Sequence, residues 1–178
     1  MAKNSLIDLD RLNAVLQKYA ETAAEMYKYN LSLGGKYGNK NASYDLSNSV
    51  TSRVEHNGSV YRVILNLNKY WEYVEGGARG EQSSPVGAVY APHFPPPQVL
   101  LKWIEVKPII PQPATNGKVP SKESLAYLIG RKIKREGIEP HPAMAQTRTM
   151  ALQQFRQELR DALKDDIYKY ITTLVTNK

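Results

Sequence analysis

Between Arg79 and Ser121 the chain cannot form a long regular element. Pro85, Pro92, Pro95, Pro96 and Pro97 punctuate the first part of this stretch, and Pro108, Pro111, Pro113 and Pro120 the second. Each proline fixes φ and removes a backbone donor, so helix and sheet are both interrupted. One island survives between the prolines, Gln98–Val106, QVLLKWIEV. It is long enough for a short helix packing Leu101, Ile104 and Trp103, and it is also compatible with an extended segment. Left in water, Val99–Ile104 would be a sticky patch. Two outcomes follow: the island folds back to enlarge the core, or it clasps a neighbouring subunit through Leu101 or Trp103. The sequence reading favours the clasp, because stiff prolines lower the ordering cost of reaching a partner. A peptide-recognition ligand is a weaker reading of the PPP run, since connectors use the same stiffness.

On either side of this excursion the pattern is periodic. Leu12, Leu16, Tyr19, Ala23, Met26 and Tyr27 recur at helical spacing, predicting a first helix from Leu6 to about Leu31. Ser5 and Asp8 resemble a capping arrangement, and the LSLGGKYGNKN segment ends the helix. That segment lacks the spacing and the Lys-Ser/Thr ending of a phosphate loop. Ala42–Ser49 reads as a short helical turn or a tight approach to the sheet. Val50–Glu55 and Ser59–Leu67 predict a hairpin, with His56-Asn57-Gly58 between them. Tyr61, Val63, Leu65 and Leu67 alternate as a strand does.

Tyr70–Gly77, YWEYVEGG, packs three aromatics and a valine into five residues before a glycine pair. It reads as a sheet-to-loop junction, with YWEYV joining the hairpin in one mostly antiparallel sheet. Beyond the prolines, Ser121–Glu136 is helical through Leu125, Leu128, Ile129 and Ile133, and Gly137 can end it. Pro142 is placed to open a last helix that reaches Leu174. Its stripe is Ala151, Phe155, Leu159, Leu163, Ile167 and Ile171, widened by Ala162, Tyr170 and Leu174. The fold class is therefore α+β: a small, mostly antiparallel sheet packed on one face by long N- and C-terminal helices. The 178 residues suit a single domain, with 80–121 as a proline-rich insertion or arm and 122–136 as an additional helix.

Chemistry is sparse. There is no cysteine, so disulfides and thiolate ligands are excluded. The three histidines, His56, His93 and His141, show no ligand spacing. Glu72 and Glu75 would point to opposite faces of an extended segment, which does not suit acid/base pairing. Asp161, Asp165 and Asp166 fit caps or a solvated helix face. No enzyme activity, metal or cofactor is expected. No apolar run is long enough to span a membrane, and no membrane partner is expected.

The net charge of +7 favours acidic partners without establishing nucleic-acid binding. Arg131, Lys132, Lys134 and Arg135 are the candidate contacts with DNA or an acidic partner. Basic residues at a helix C-terminus also complement its partial negative charge. Twelve tyrosines suit half-wet interfaces or the edge of a core. Tyr70, Trp71, Tyr73, Leu101 and Trp103 are the candidate subunit-interface residues.

The order of these elements resembles the small HK97-type tail-component or neck proteins of tailed bacteriophages, the tail-completion and head-tail joining family. There a long helix is followed by a TGxLxxS-like turn, a hairpin, a Y-x-x-Y-V-E-x-G-like junction and a proline-introduced last helix. Here Leu46 and Ser49 match the first motif, with Ser43-Tyr44 in place of Thr-Gly. Tyr70, Tyr73, Val74, Glu75 and Gly77 match the second, and Pro140-His141-Pro142-Ala143-Met144 leads into the last helix. The resemblance runs from about Leu6 to Leu174. It implies a structural protein of the virion, assembled in the host cytoplasm as a homo-oligomeric ring. Its neighbours would be portal, adaptor or tail proteins, with non-specific contact to genomic DNA. The alternative is a non-specific nucleic-acid-binding protein acting through the basic helix.

Overall fold

A computed structural model describes residues 9–33, 44–58, 60–107, 109–113 and 117–176. The Ser5–Asp8 cap, the glycine-rich stretch after Leu33, and Ser43, Ser59 and Pro108 lie outside the described residues. The elements, in order, are α1 (Asp10–Leu33), α2 (Asp45–Ser49), β1 (Thr51–Asn57), β2 (Val60–Asn66), α3 (Trp71–Gly76), β3 (Ala78–Arg79), α4 (Pro97–Val106), α5 (Lys122–Glu136), β4 (Gly137–Ile138) and α6 (Ala143–Thr176). The fold is α+β, with long terminal helices and short antiparallel strand pairs. Where the sequence suggests one domain, the residues gather into two compact units, each assembled from separated segments. One contains Met1–Asn30, Ser49–Leu67 and Met144–Lys178; the other contains Leu31–Asn48 and Asn68–Ala143.

In the first unit α1 and α6 run antiparallel. Leu12 meets Asp166, Tyr19 meets Phe155 edge-to-face at 5.4 Å, and Asn30 Nδ2 donates to Thr147 Oγ1 at 2.8 Å. Small residues on α1, Ala20, Ala23 and Ala24, are buried beside Tyr27 and leave room for a close neighbour. On α6 the buried row is Thr147, Ala151, Phe155, Ala162 and Asp166. This corrects the sequence stripe beyond Leu159. A row stepping only by four advances about 40° per step beyond full turns, so it winds off the buried face. A three-residue step from Leu159 to Ala162 restores it, which leaves Leu163, Ile167 and Ile171 exposed.

Asp166 is buried because it has a task on another helix. The backbone N–H groups of Arg11 and Leu12 donate to its Oδ1 and Oδ2 at 3.2 and 2.8 Å. These are first-turn donors of α1 with no intrahelical acceptor, and a carboxylate there also meets the positive end of the helix dipole. Arg11 reaches Asp165 beside it.

The hairpin forms as the alternation predicts, with its turn one residue later. Asn57 pairs with Val60, so His56 and Asn57 belong to β1 rather than to the loop. Gly58 takes φ +61°, the conformation that primed hairpin turns require. His56 stacks on its cross-strand partner Tyr61, with ring centroids 4.3 Å apart. The expected single sheet is not formed. β1–β2 and β3–β4 are separate two-stranded sheets, and Trp71–Gly76 is helical. Tyr70, Tyr73 and Val74 sit at positions i, i+3 and i+4, so a dense aromatic run also reads as one helical turn.

In the second unit the apolar island becomes α4, which Pro97 opens in its first turn. It folds back on α5, burying Leu100 and Ile104 against Ala126. Ser121 caps α5 by accepting from Ser124 N–H at 3.2 Å. Gly130 lets Phe94 lie across the helix, since a Cβ there would stand 2.7 Å from the ring. Leu128, placed in the stripe by its spacing, faces outward instead.

The Asp166 cap predicts the outcome of its removal. Asp166→Ala strands two first-turn donors and lowers stability by about 1–3 kcal/mol in denaturant unfolding. Asp166→Asn, which keeps one acceptor oxygen, loses less. Unchanged midpoints for both variants would remove the cap from the account.

Candidate assembly surface

The Tyr70–Gly77 stretch is built on a crossing of backbones. Tyr73 and Val74 both donate to Tyr70 O, at 3.1 and 3.3 Å, so α3 starts with a tightened turn. Gly77 ends it at φ +58°, and a Cβ there would stand 2.5 Å from Ile138 O and 2.6 Å from Pro140 N. Gly137, at φ +84°, presses equally close to Ala78 O. The two segments are joined as β3 and β4, Ala78 opposite Ile138 and Arg79 opposite Gly137. A third segment is tied in by Val89 N–H to Gly76 O and Arg79 N–H to Tyr90 O, both at 2.8 Å. His141 N–H completes the junction by donating to Val74 O at 2.8 Å. Residues far apart in sequence are thus held on one short frame.

That frame displays aromatics. Tyr70 and Tyr73 are exposed and Trp71 is half-buried. Tyr73 and Tyr90 lie with ring centroids 4.3 Å apart, and Tyr90 Oη donates to Glu72 Oε2 over a long 3.4 Å. Burial, and then the Glu72 carboxylate, hold the Tyr90 phenol above its usual range. Tyr70 is raised as well, by burial first and then by Asp45, against a hydrogen bond with the Leu46 backbone. Asn68 Nδ2 donates to Asp45 O at 3.4 Å. The segment around α2 and the segment around α3 therefore meet. Tyr90 carries no local signal in the sequence; only the backbone crossing brings it to Tyr73.

Leu101 and Trp103 sit elsewhere in the same unit, partly buried against the α4–α5 core. The island is folded back on its own chain rather than held out as an arm. Glu72 and Glu75 also differ from their reading as an extended pair. On α3 they are three residues apart, which places them on neighbouring positions of one helical side.

The four basic residues are integrated into α5 and its surroundings. Lys132 pairs with Glu136 at 3.7 Å, Lys134 with Glu81 at 3.3 Å, and Arg135 with Glu136. The Arg135 hydrogen bond is the main reason the Glu136 carboxyl lies below its usual range. Lys134 O and Arg135 O accept from Glu81, Gln82 and Ser83 N–H at 3.0 to 3.2 Å. Arg131 is exposed. Glu136 was legible as the i+4 partner of Lys132, whereas Glu81 lies too far upstream for any spacing rule. Among the described residues, no group of three His, Cys, Asp or Glu side chains could hold a metal. No described helix is long and apolar enough to cross a membrane.

Two measurements follow. Trp103→Ala removes a half-buried indole from the α4–α5 core and costs about 2–3 kcal/mol. Hydrogen exchange should then accelerate in both helices, and unchanged protection would take Trp103 out of the core. For Tyr90, the folded state holds the phenolic proton more tightly than the unfolded state. Its contribution is complete below the ordinary value of about 10 and is lost as pH rises toward the folded value. Tyr90→Phe should weaken the alkaline loss of stability and delete one late phenolate from the absorbance titration. An unchanged titration would contradict the raised pKa of that phenol.

Compared with protein-family models, with curated proteins and with solved structures, the chain matches none.

Proposed function

We propose that this chain is a structural virion protein, a subunit of a ring in the head-to-tail connector (neck) or tail-completion assembly of a tailed bacteriophage. The observation that supports this most is where the two motif segments behind the resemblance lie. Tyr70, at the head of the second, is placed beside Asp45 and Leu46 of the first, and Tyr70 and Tyr73 remain exposed. Tyrosines held on a rigid frame supply contact area at low entropic cost, and their hydroxyls tolerate a wet rim. Portal, adaptor or tail proteins would be the neighbours of such a ring.

The runner-up is non-specific nucleic-acid binding through α5. Carboxylates already accompany Lys132, Lys134 and Arg135, which lowers the positive field available to phosphates. This favours assembly over DNA binding as the chain's main task.

The reading is tested in particles. Tyr70→Ala with Tyr73→Ala should leave folding within about 1 kcal/mol, because both side chains are exposed. Incorporation of the chain into particles, followed by quantitative mass spectrometry and by its density in cryo-electron microscopy maps, should fall at least about tenfold. Lys132→Glu with Lys134→Glu should leave incorporation unchanged. Absence of the wild-type chain from particles would sink the proposal. Tight, salt-sensitive retention of DNA by the purified chain at physiological salt would replace it with the runner-up.

A further inference from the structure

The carboxylates of α6 are all engaged, and three of its cations are not. Glu158 binds Lys18, both oxygens of Asp161 accept from Gln157 Nε2, Asp165 binds Arg11, and Asp166 caps α1. Arg156, Arg160 and Lys164 are exposed and, among the described residues, form no ion pair. On α5 the case is the reverse, since Lys132, Lys134 and Arg135 each sit with a carboxylate. The positive field available to a partner is therefore stronger over α6 than over the basic run that stands out in the sequence.

The three cations form a row. Steps of four residues advance about 6 Å along a helix and drift about 40° around it, so Arg156, Arg160 and Lys164 stay on one side. Gln153 is exposed and precedes them by three residues, which extends the row by one more turn. All four side chains offer N–H donors, and none of the four is acidic or aromatic. Like charges at this spacing oppose the helix that carries them, a cost that a polyanion lying along the row would reverse.

We propose that Gln153, Arg156, Arg160 and Lys164 bind the phosphate backbone of duplex nucleic acid without regard to sequence. Phosphate oxygens only accept, which suits a row made of donors, and arginine meets them with two parallel hydrogen bonds. A duplex presents one negative charge per about 1.7 Å of its axis, so it meets every cation of a straight row in any register. An acidic protein segment would have to match the spacing residue by residue. It would also find no aromatic anchor within the row.

Three cations hold a single chain only weakly at physiological salt, where non-specific contacts are released by counterions. The row uses a different surface from Tyr70 and Tyr73 and is read on the isolated chain. Its failure would leave the virion reading standing, and failure of that reading would leave the row standing.

The test is fluorescence anisotropy of the full chain with a labelled duplex of mixed sequence. Neutralising three phosphates gives a slope of about −2.7 in log affinity against log salt, so affinity should fall about two-hundredfold between about 20 and 150 mM salt. Arg156→Gln, Arg160→Gln and Lys164→Gln together should weaken low-salt binding at least about tenfold and flatten the slope to about −1 or less. Lys132→Gln, Lys134→Gln and Arg135→Gln remove the same formal charge from α5 and should stay within about threefold of the wild type. Both variants should keep native circular dichroism, because the residues changed on α6 are exposed and glutamine suits a helix. Equal losses from the two variants would reduce the binding to net charge and overturn the row. Loss confined to the α5 variant, or no binding by the wild type at the lowest salt, would overturn it as well. Polyglutamate bound as tightly as the duplex would replace nucleic acid with an acidic protein partner.

Discussion

Gly77 and Gly137 cross so closely that neither position has room for a side chain, and the second unit depends on that crossing. The two residues belong to segments about 60 positions apart, and each takes a positive φ that glycine adopts without steric cost. The crossing orders β3 against β4, draws Val89 and Tyr90 alongside, and sets where α5 stops and where the approach to α6 begins. A hydrogen-bonded frame this short has almost no apolar core of its own. Close backbone approach supplies the rigidity that burial supplies elsewhere, and the exposed tyrosines are held by it.

Charge placement separates the two units further. Asp166 is a buried carboxylate whose partners are backbone amides, so its desolvation is offset by donors that would otherwise be stranded. Lys132, Lys134 and Arg135 are solvated and paired, each contact contributing little by itself. Their main structural contribution comes through carbonyls, which anchor residues 81–83 at the end of α5. Lys134 and Arg135 thus serve helix termination and loop docking before any partner is considered.

Two of the exposed apolar surfaces differ in character. One is aromatic and hydroxyl-bearing, held on a fixed frame around Tyr70 and Tyr73. The other is an aliphatic face of α6 that includes Leu163, Ile167 and Ile171. Surfaces of these kinds suit association with other protein. Glu72 meets the Tyr90 hydroxyl, and His56 stacks on Tyr61.

Helices at both ends, the hairpin, the glycine stop at Gly137 and the helix-opening role of Pro142 were all legible in the sequence. Each depends on periodicity or turn chemistry within a few residues, and the α+β class followed from them. The neighbours of those elements were not legible. The sequence placed YWEYV in a sheet because four aromatic and β-branched residues within five satisfy a strand as well as a helical turn. It left Asp166 between a cap and a solvated face because nothing nearby indicates that α1 needs an acceptor 155 positions away. It ran the α6 stripe through Leu163 and Ile167 because hydrophobicity alone cannot choose between adjacent rows of one helix. Local spacing determined which elements form. Only the tertiary structure decided which faces are covered, because burial depends on partners that the chain brings together from a distance.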